Sequence, residues 1–222
     1  MKLFLDTANI DLIKQWMPTG VIDGVTTNPS LIAQEKNGNI KAALLDICNM
    51  VNGDVSIEVV EKTPEKVYAQ AKEISNLAKN VVVKIPFAQE YLPVISKLTK
   101  ENIKINVTLI FSLTQALLVS KLNVKYISPF IGRWDDIDID GMELIKDLVT
   151  MKKNYNFKTE ILAASIRNVI HLQKSILYGA DVATIPPLLL DKVFKHPLTI
   201  QGIEKFDNDW KKLNKTNMFN EK

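Results

Sequence analysis

The 222-residue chain is short of cysteine, histidine, arginine and glycine, and each shortage excludes a class of protein. Cys48 stands alone, so no intrachain disulfide can form, and with only His171 and His196 beside it there is no ligand set for a structural zinc site. The chain reads as a reduced, cytoplasmic protein that needs no metal or cofactor. Eight glycines are scattered without a G-x-G-x-x-G or Walker arrangement, which argues against a nucleotide-binding first turn. No apolar run approaches the roughly 18 residues needed to cross a bilayer. Met1-Lys2-Leu3-Phe4-Leu5-Asp6 meets an acid too early for a signal peptide, so no membrane association is expected. A net charge of +3, with no basic run beyond pairs, makes nucleic acid an unsuitable partner.

What the chain does have is a regular beat. Short apolar runs occur at Leu3–Leu5, Val21–Thr26, Val55–Val60, Val81–Ile85, Ile103–Leu109, Val124–Phe130, Glu160–Ala164 and Val182–Ile185, with segments of helical period between them. Val67, Ala71, Ile74 and Ala78 share one face behind a Thr63 N-cap with Pro64 at the first helical position, and a later helix runs from Asn168 to a stop at Gly179. Runs such as Val81-Val82-Val83 do not alternate, as expected of parallel strands covered on both sides. Eight strand-helix units predict an α/β fold, a (β/α)8 TIM barrel more compact than the usual length of about 250 residues. An open doubly wound sheet is the rival. The chain from 1 to 222 is expected to be a single barrel domain, followed over about 198–213 by a further helix with Ile203, Phe206, Trp210 and Leu213 on one face, and then by a polar tail. That helix either closes the barrel bottom or docks on a neighbouring subunit.

Chemistry in such a barrel sits where strands end, and polar groups gather there. Asp6 follows the first run, Thr26, Thr27 and Asn28 the second, and Glu58 interrupts the third. Lys84 stands near the end of the fourth, Asn106 and Thr108 in the fifth, Ser128 and Arg133 close the sixth, and Ser165 and Arg167 follow the seventh. Each has a bland explanation as a helix cap or turn residue, but seven consecutive strands behave alike.

Lys84 carries the only charge in Val81-Val82-Val83-Lys84-Ile85-Pro86-Phe87. Removing an amine from water disfavours its charged form, and the neutral amine is the nucleophile that makes an imine. Lys104 and Lys125 are also embedded in apolar sequence, but near the beginnings of their strands, at the opposite end of the barrel. Arg133 and Arg167 are the only arginines among 28 basic residues, and both follow strand ends. A guanidinium fork grips phosphate in a way an ammonium cannot, so the two predict an anion site to which Ser165 adds a hydroxyl. An imine-forming lysine with a phosphate site nearby describes an enzyme acting on a phosphorylated carbonyl compound, with sugar phosphates as substrates. Asp6, Glu58 and Thr108 would manage protons and water, and Asn28 and Asn106 would hold substrate hydroxyls.

Leu5-Asp6-Thr7-Ala8, Val25-Thr26-Thr27-Asn28-Pro29-Ser30, Val83-Lys84-Ile85-Pro86, Asn106-Val107-Thr108-Leu109, Ser128-Pro129-Phe130-Ile131-Gly132-Arg133 and Ala163-Ala164-Ser165-Ile166-Arg167 together resemble the transaldolase family, in the short-chain branch that also contains fructose-6-phosphate aldolase. The resemblance covers nearly the whole chain. It implies a class I aldolase mechanism of carbohydrate metabolism, within the pentose phosphate pathway. A dihydroxyacetone unit would pass from sedoheptulose 7-phosphate to glyceraldehyde 3-phosphate, leaving erythrose 4-phosphate and fructose 6-phosphate. Lys84 then corresponds to the Schiff-base lysine, Asp6 to the carboxylate that moves the proton, and Glu58 with Thr108 to the pair around the catalytic water. Thr26, Asn28, Asn106, Ser128 and Phe130 correspond to the surroundings of the dihydroxyacetone part, and Arg133, Ser165 and Arg167 to the phosphate site. The aldolases are similar but carry glutamine at the Glu58 position and tyrosine at the Phe130 position, so this chain has the transferase pair. The resemblance also implies a homo-oligomer, a pentamer or decamer whose C-terminal helices reach a neighbour. A sugar-phosphate-binding protein without turnover is the alternative from another class.

Two further signals point elsewhere. Asp136, Asp138, Asp140 and Gly141 begin like a calcium-binding loop, but Glu143 and Asp147 break the pattern, and an acidic helix start is the simpler reading. Cys48 reads as a packing thiol, and neither His171 nor His196 has an evident partner in the sequence.

Overall fold

The computed structural model describes residues 1–35 and 38–213. Eight parallel strands close into a barrel in sequence order: β1 (Lys2–Asp6), β2 (Gly24–Thr26), β3 (Asp54–Glu58), β4 (Val81–Pro86), β5 (Ile105–Ile110), β6 (Tyr126–Pro129), β7 (Glu160–Ala163) and β8 (Val182–Ile185). β8 pairs back onto β1 through Leu3 opposite Ala183 and Leu5 opposite Ile185, so no open edge remains, and the doubly wound alternative is excluded. Several strands are shorter than their apolar runs. The second begins at Gly24 because Asp23 turns back on β1, its carboxylate accepting the Leu3 N–H at 2.7 Å. The third ends at Glu58, and Val60 beyond it is exposed.

Between β3 and β4 lies α4 (Pro64–Ser75), with Thr63 at its N-cap and Val67, Ala71 and Ile74 buried, as the spacing predicts; the Thr63 side chain makes no capping bond. Between β7 and β8 lies α9 (Val169–Tyr178), which begins at Asn168 and stops at Gly179 with φ +84°, a left-handed turn that glycine adopts without strain. The barrel layer is completed by α1 (Ile10–Trp16), α2 (Pro29–Gln34), α3 (Ile40–Met50), α5 (Leu92–Lys100), α6 (Leu113–Ser120), α7 (Ile131–Asp135), α8 (Met142–Tyr155) and α10 (Pro187–Phe194).

Strand periodicity divides the interior in two. On β4, Val81, Val83 and Ile85 face the helices and belong to the large core between sheet and helix layer, whereas Val82 points to the barrel axis. There it meets Phe4, Tyr126, Leu162 and Val182, a separate apolar floor. Phe4 and Tyr126 meet edge to face at 6.0 Å. Gly24 makes room for the ring: a Cβ there would lie 2.6 Å from Phe4. Beneath the floor, at the N-terminal ends of the strands, the Asp54 carboxylate accepts the Tyr126 hydroxyl at 2.7 Å and pairs with Lys125 and with Lys104. Lys104 and Lys125 are thus tied down at the end where their positions in sequence place them. Above the floor the axis-facing residues become polar.

The final helix, α11 (Pro197–Lys211), starts and ends close to its expected bounds, but buries none of its residues. Ile203 is 64% and Phe206 71% exposed, so its apolar face does not close the bottom of its own barrel. The polar tail beyond Leu213 lies outside the described residues. Among the described residues no helix is long and apolar enough to cross a membrane.

Candidate active site

Two residues after Val82, on the same axis-facing side of β4, stands Lys84, 4% exposed. Its Nζ lies 2.9 Å from Glu58 Oε2 and donates to the Thr27 carbonyl at 3.1 Å. The pairing register puts Glu58 directly beside Lys84 on the neighbouring strand. On the other side of the barrel, Asp6 at the end of β1 accepts the Thr26 hydroxyl at 2.8 Å, and Thr26 in turn lies 2.6 Å from the Thr184 hydroxyl. Burial pushes the Asp6 carboxyl above its ordinary value, against the opposing pull of Lys84 and the Thr26 hydroxyl. A buried amine is thus flanked by two carboxylates of different character, one paired with it and one raised by burial.

Around this group lies a cavity of about 470 Å³, lined by Asp6, Thr26, Asn28, Glu58, Lys84, Ser128, Phe130, Arg133, Ser165 and Arg167, ten of the twelve residues proposed from sequence. Asn28 serves two purposes: its side-chain oxygen caps α2 by accepting the Leu31 N–H at 3.0 Å, and its side chain also borders the cavity. The two exceptions are Asn106 and Thr108, both fully buried. Asn106, opposite Lys84 in the strand pairing, donates to Ser56 Oγ at 3.2 Å and accepts the Ser128 hydroxyl at 2.7 Å, so it orients Ser128 from within the barrel. Thr108 Oγ1 has no hydrogen-bond partner among the described residues, a costly state for a buried hydroxyl and one that a bound water or substrate group relieves.

The rim on the β6 and β7 side carries the arginines. Arg133 lies with its guanidinium 5.4 Å from the Phe130 ring, and Lys84 Nζ approaches the same ring at 5.9 Å. Arg167 reaches over from the loop after β7, where Ser165 adopts a left-handed backbone (φ +58°) rare outside glycine. The two loops touch closely: Gly132 N–H donates to the Ser165 carbonyl at 3.1 Å, and a Cβ on Gly132 would sit 2.3 Å from that oxygen and 2.7 Å from Arg167 Nε. Arg167 is gripped bidentately by Asp136, with Nη2 at 2.7 Å from Oδ2, and this pairing holds the Asp136 carboxyl below its ordinary value.

The acidic stretch from 135 to 140 is therefore no calcium loop. Asp136 pairs with Arg167, Asp140 pairs with Lys174 and accepts the Met142 N–H, and Asp135 pairs with His171. No group of three or more His, Cys, Asp or Glu side chains suited to a metal occurs among the described residues. His171, without an evident partner in the sequence, is buried and partnered at both ring nitrogens: Nε2 lies 2.7 Å from Asp135 Oδ2, and Nδ1 accepts the Arg167 N–H at 3.4 Å. His196 precedes α11 and is exposed. Cys48 is buried in the core with its thiol pushed up to about 11 by desolvation, as befits a packing residue.

Sequence reasoning missed Thr184, Leu109 and Ser56. Thr184 is a hydroxyl inside the apolar run Val182-Ala183-Thr184-Ile185 and extends to the eighth strand the signal read on the other seven. Leu109 reaches the cavity because β5 shifts register between Val107 and Ile110, leaving Leu109 at φ +58°. Nothing in an apolar sequence announces such an irregularity.

Comparison with known proteins gives the family. The family described as transaldolase/fructose-6-phosphate aldolase matches residues 3–217. A probable transaldolase of Caldicellulosiruptor saccharolyticus is 50% identical over 218 residues, covering 98% of this chain and 100% of that one. One from Thermodesulfovibrio yellowstonii is 49% identical over 215 residues, 97% of this chain and 100% of its own, and one from Methanococcus maripaludis is 50% identical over 210 residues, 95% and 97%. Matched along nearly its whole length and at about half identity, the chain belongs to the transaldolase/fructose-6-phosphate aldolase family.

Proposed function

We propose that this protein is a transaldolase that moves a dihydroxyacetone unit from sedoheptulose 7-phosphate to glyceraldehyde 3-phosphate through an imine on Lys84, yielding erythrose 4-phosphate and fructose 6-phosphate. The observation that carries this reading is the burial of Lys84 Nζ in a cavity shared with Asp6, Glu58, Arg133 and Arg167. The amine attacks the C2 carbonyl of the ketose, a proton passes to the departing oxygen, and loss of water leaves the imine. Glu58, 2.9 Å from Nζ, is the nearest carboxylate to take and return those protons, with the Thr108 hydroxyl supplying a second contact for water. Asp6 then takes the proton of the C4 hydroxyl. The C3–C4 bond breaks, the aldehyde leaves, and the electron pair is held by the imine nitrogen as an enamine. A carboxyl raised by burial is a stronger base than an ordinary one and suits that step. The enamine carbon attacks the acceptor aldehyde, Asp6 returns its proton, and hydrolysis frees Lys84. Thr26, Asn28 and Ser128 hold the hydroxyls of the three-carbon unit, Asn106 orients Ser128, and Arg133, Ser165 and Arg167 bind the phosphate.

Glu58 and Phe130 favour transfer over free aldolase activity. A carboxylate shuttles protons that an amide cannot, and a phenyl ring lacks the hydroxyl that could deliver water to the enamine. The same reading makes the chain one barrel domain of a cytoplasmic homo-oligomer of the pentose phosphate pathway, a pentamer or decamer, to which the exposed apolar face of α11 lends support.

Borohydride reduction in the presence of fructose 6-phosphate tests the chemistry. Permanent labelling of Lys84, lost in Lys84→Met, is expected; saturable binding without labelling would leave a sugar-phosphate binder instead. A paired assay for transfer and for free dihydroxyacetone separates the transferase from fructose-6-phosphate aldolase.

A further inference from the structure

We propose that His171 is a positioning residue for the phosphate site: its buried imidazole ties α7, which carries Arg133, to the loop carrying Arg167 and sets the gap between the two guanidinium groups. This rests on the reading above that the rim binds a sugar phosphate. His171 sits in the first turn of α9, 5% exposed, and does not line the cavity. On one side its Nδ1 accepts the backbone N–H of Arg167 at 3.4 Å; on the other its Nε2 lies 2.7 Å from Asp135, two residues beyond Arg133 at the end of α7. The two contacts together select a single tautomer, with the proton on Nε2 and the lone pair on Nδ1.

Such a link bears on both arginines, since Arg133 rests against the Phe130 ring at 5.4 Å and Arg167 against Asp136, surface contacts that an incoming anion disturbs. Both side chains are exposed at the rim, and a phosphate gripped by two forks requires their separation to be kept within about 0.5 Å. Backbone bonds from the Ile131 and Gly132 N–H groups to the Ala164 and Ser165 carbonyls join the two segments at their strand ends, before either arginine, and the second side-chain link, Asp136 to Arg167, uses the same guanidinium that phosphate would use. When an anion claims that group the second link weakens, whereas the His171 bridge runs through a backbone N–H and a neighbouring carboxylate and is untouched by the ligand.

The test compares fructose 6-phosphate with unphosphorylated fructose as donor, and inorganic phosphate as a competitive inhibitor. In His171→Leu the KM for fructose 6-phosphate is expected to rise about tenfold relative to that for fructose, as loss of an outer positioning contact does elsewhere, with the phosphate inhibition constant rising in step. His171→Gln, which can still donate to Asp135, recovers part of the loss. Should the leucine variant fail to fold, Asp135→Ala changes a partly exposed partner and is expected to move the same ratio in the same direction. Equal loss with both donors, or phosphate inhibition unchanged, overturns the positioning role. A wild-type protein that neither prefers the phosphorylated donor nor is inhibited by phosphate overturns the phosphate-site reading itself, and the two failures are distinguished by that control.

Discussion

Three lysines interrupt apolar strand sequence in this chain, and their fates differ by position along the strand. Lys104 and Lys125 meet Asp54 below the apolar floor, while Lys84 meets Glu58 above it. Asp54 below the floor and Asp6 above it are shifted in opposite senses. Burial raises Asp54, but hydrogen bonds from Lys125 and Tyr126 outweigh it and hold the carboxyl below its ordinary value. An unfolded chain then binds the proton first as pH falls, so the stabilisation from Asp54 is present above the ordinary carboxyl value and disappears as pH drops through the lowered one. Asp54→Asn is expected to lose about 1–3 kcal/mol at neutral pH, with the difference shrinking in acid, as read from urea unfolding at several pH values. Asp6 has the reverse sign. Its folded carboxyl keeps a proton to higher pH than the unfolded one, so stability falls as pH rises through that window. Asp6→Asn should therefore melt above the wild type at pH 7, lose that advantage as the pH approaches the ordinary carboxyl range, and be nearly inactive. A variant less stable at every pH would show that desolvation of Asp6 does not dominate.

Elements decide where those residues face. The fourth strand and the helices α4 and α9 are legible because one rule governs each: an apolar run carrying a lone lysine, a proline at the first helical turn, a glycine at the stop. The α7 segment and the acids after it are not, because the partners of Asp135, Asp136 and Asp140 lie on α9 and the loop before it, more than thirty residues away. A twelve-residue metal-loop pattern and a set of independent ion pairs look alike in sequence. The close approach of these loops depends on Gly132. In Gly132→Ala the new methyl group would meet the Ser165 carbonyl at 2.3 Å. The loops must part, at a cost of about 1–3 kcal/mol, and phosphate is expected to inhibit the variant more weakly than wild type. Retained inhibition, measured on protein shown to be folded, would mean that the arginines tolerate a wider gap.

At the scale of the whole molecule, the barrel is closed by its own strands and α11 is left with its apolar face outward. Contiguous exposed apolar surface of this kind marks an interface. Light scattering at micromolar concentration is expected to report an assembly larger than the monomer, and Phe206→Asp, at a 71% exposed position, to reduce its mass without unfolding the barrel. A wild-type monomer would contradict the oligomer.

Fold class, strand count and most of the cavity wall were determined by the sequence itself. A parallel barrel has one repeating local rule, and a polar group at the end of an apolar run has only one end of the barrel to face. Tertiary structure alone decided which polar groups face one another. Asn106 bonds Ser128 inside the barrel, Leu109 reaches the cavity through a register shift, and His171 joins α7 to the loop of Arg167. Those outcomes depend on hydrogen bonds and close contacts between strands distant in the chain, and no local spacing records them.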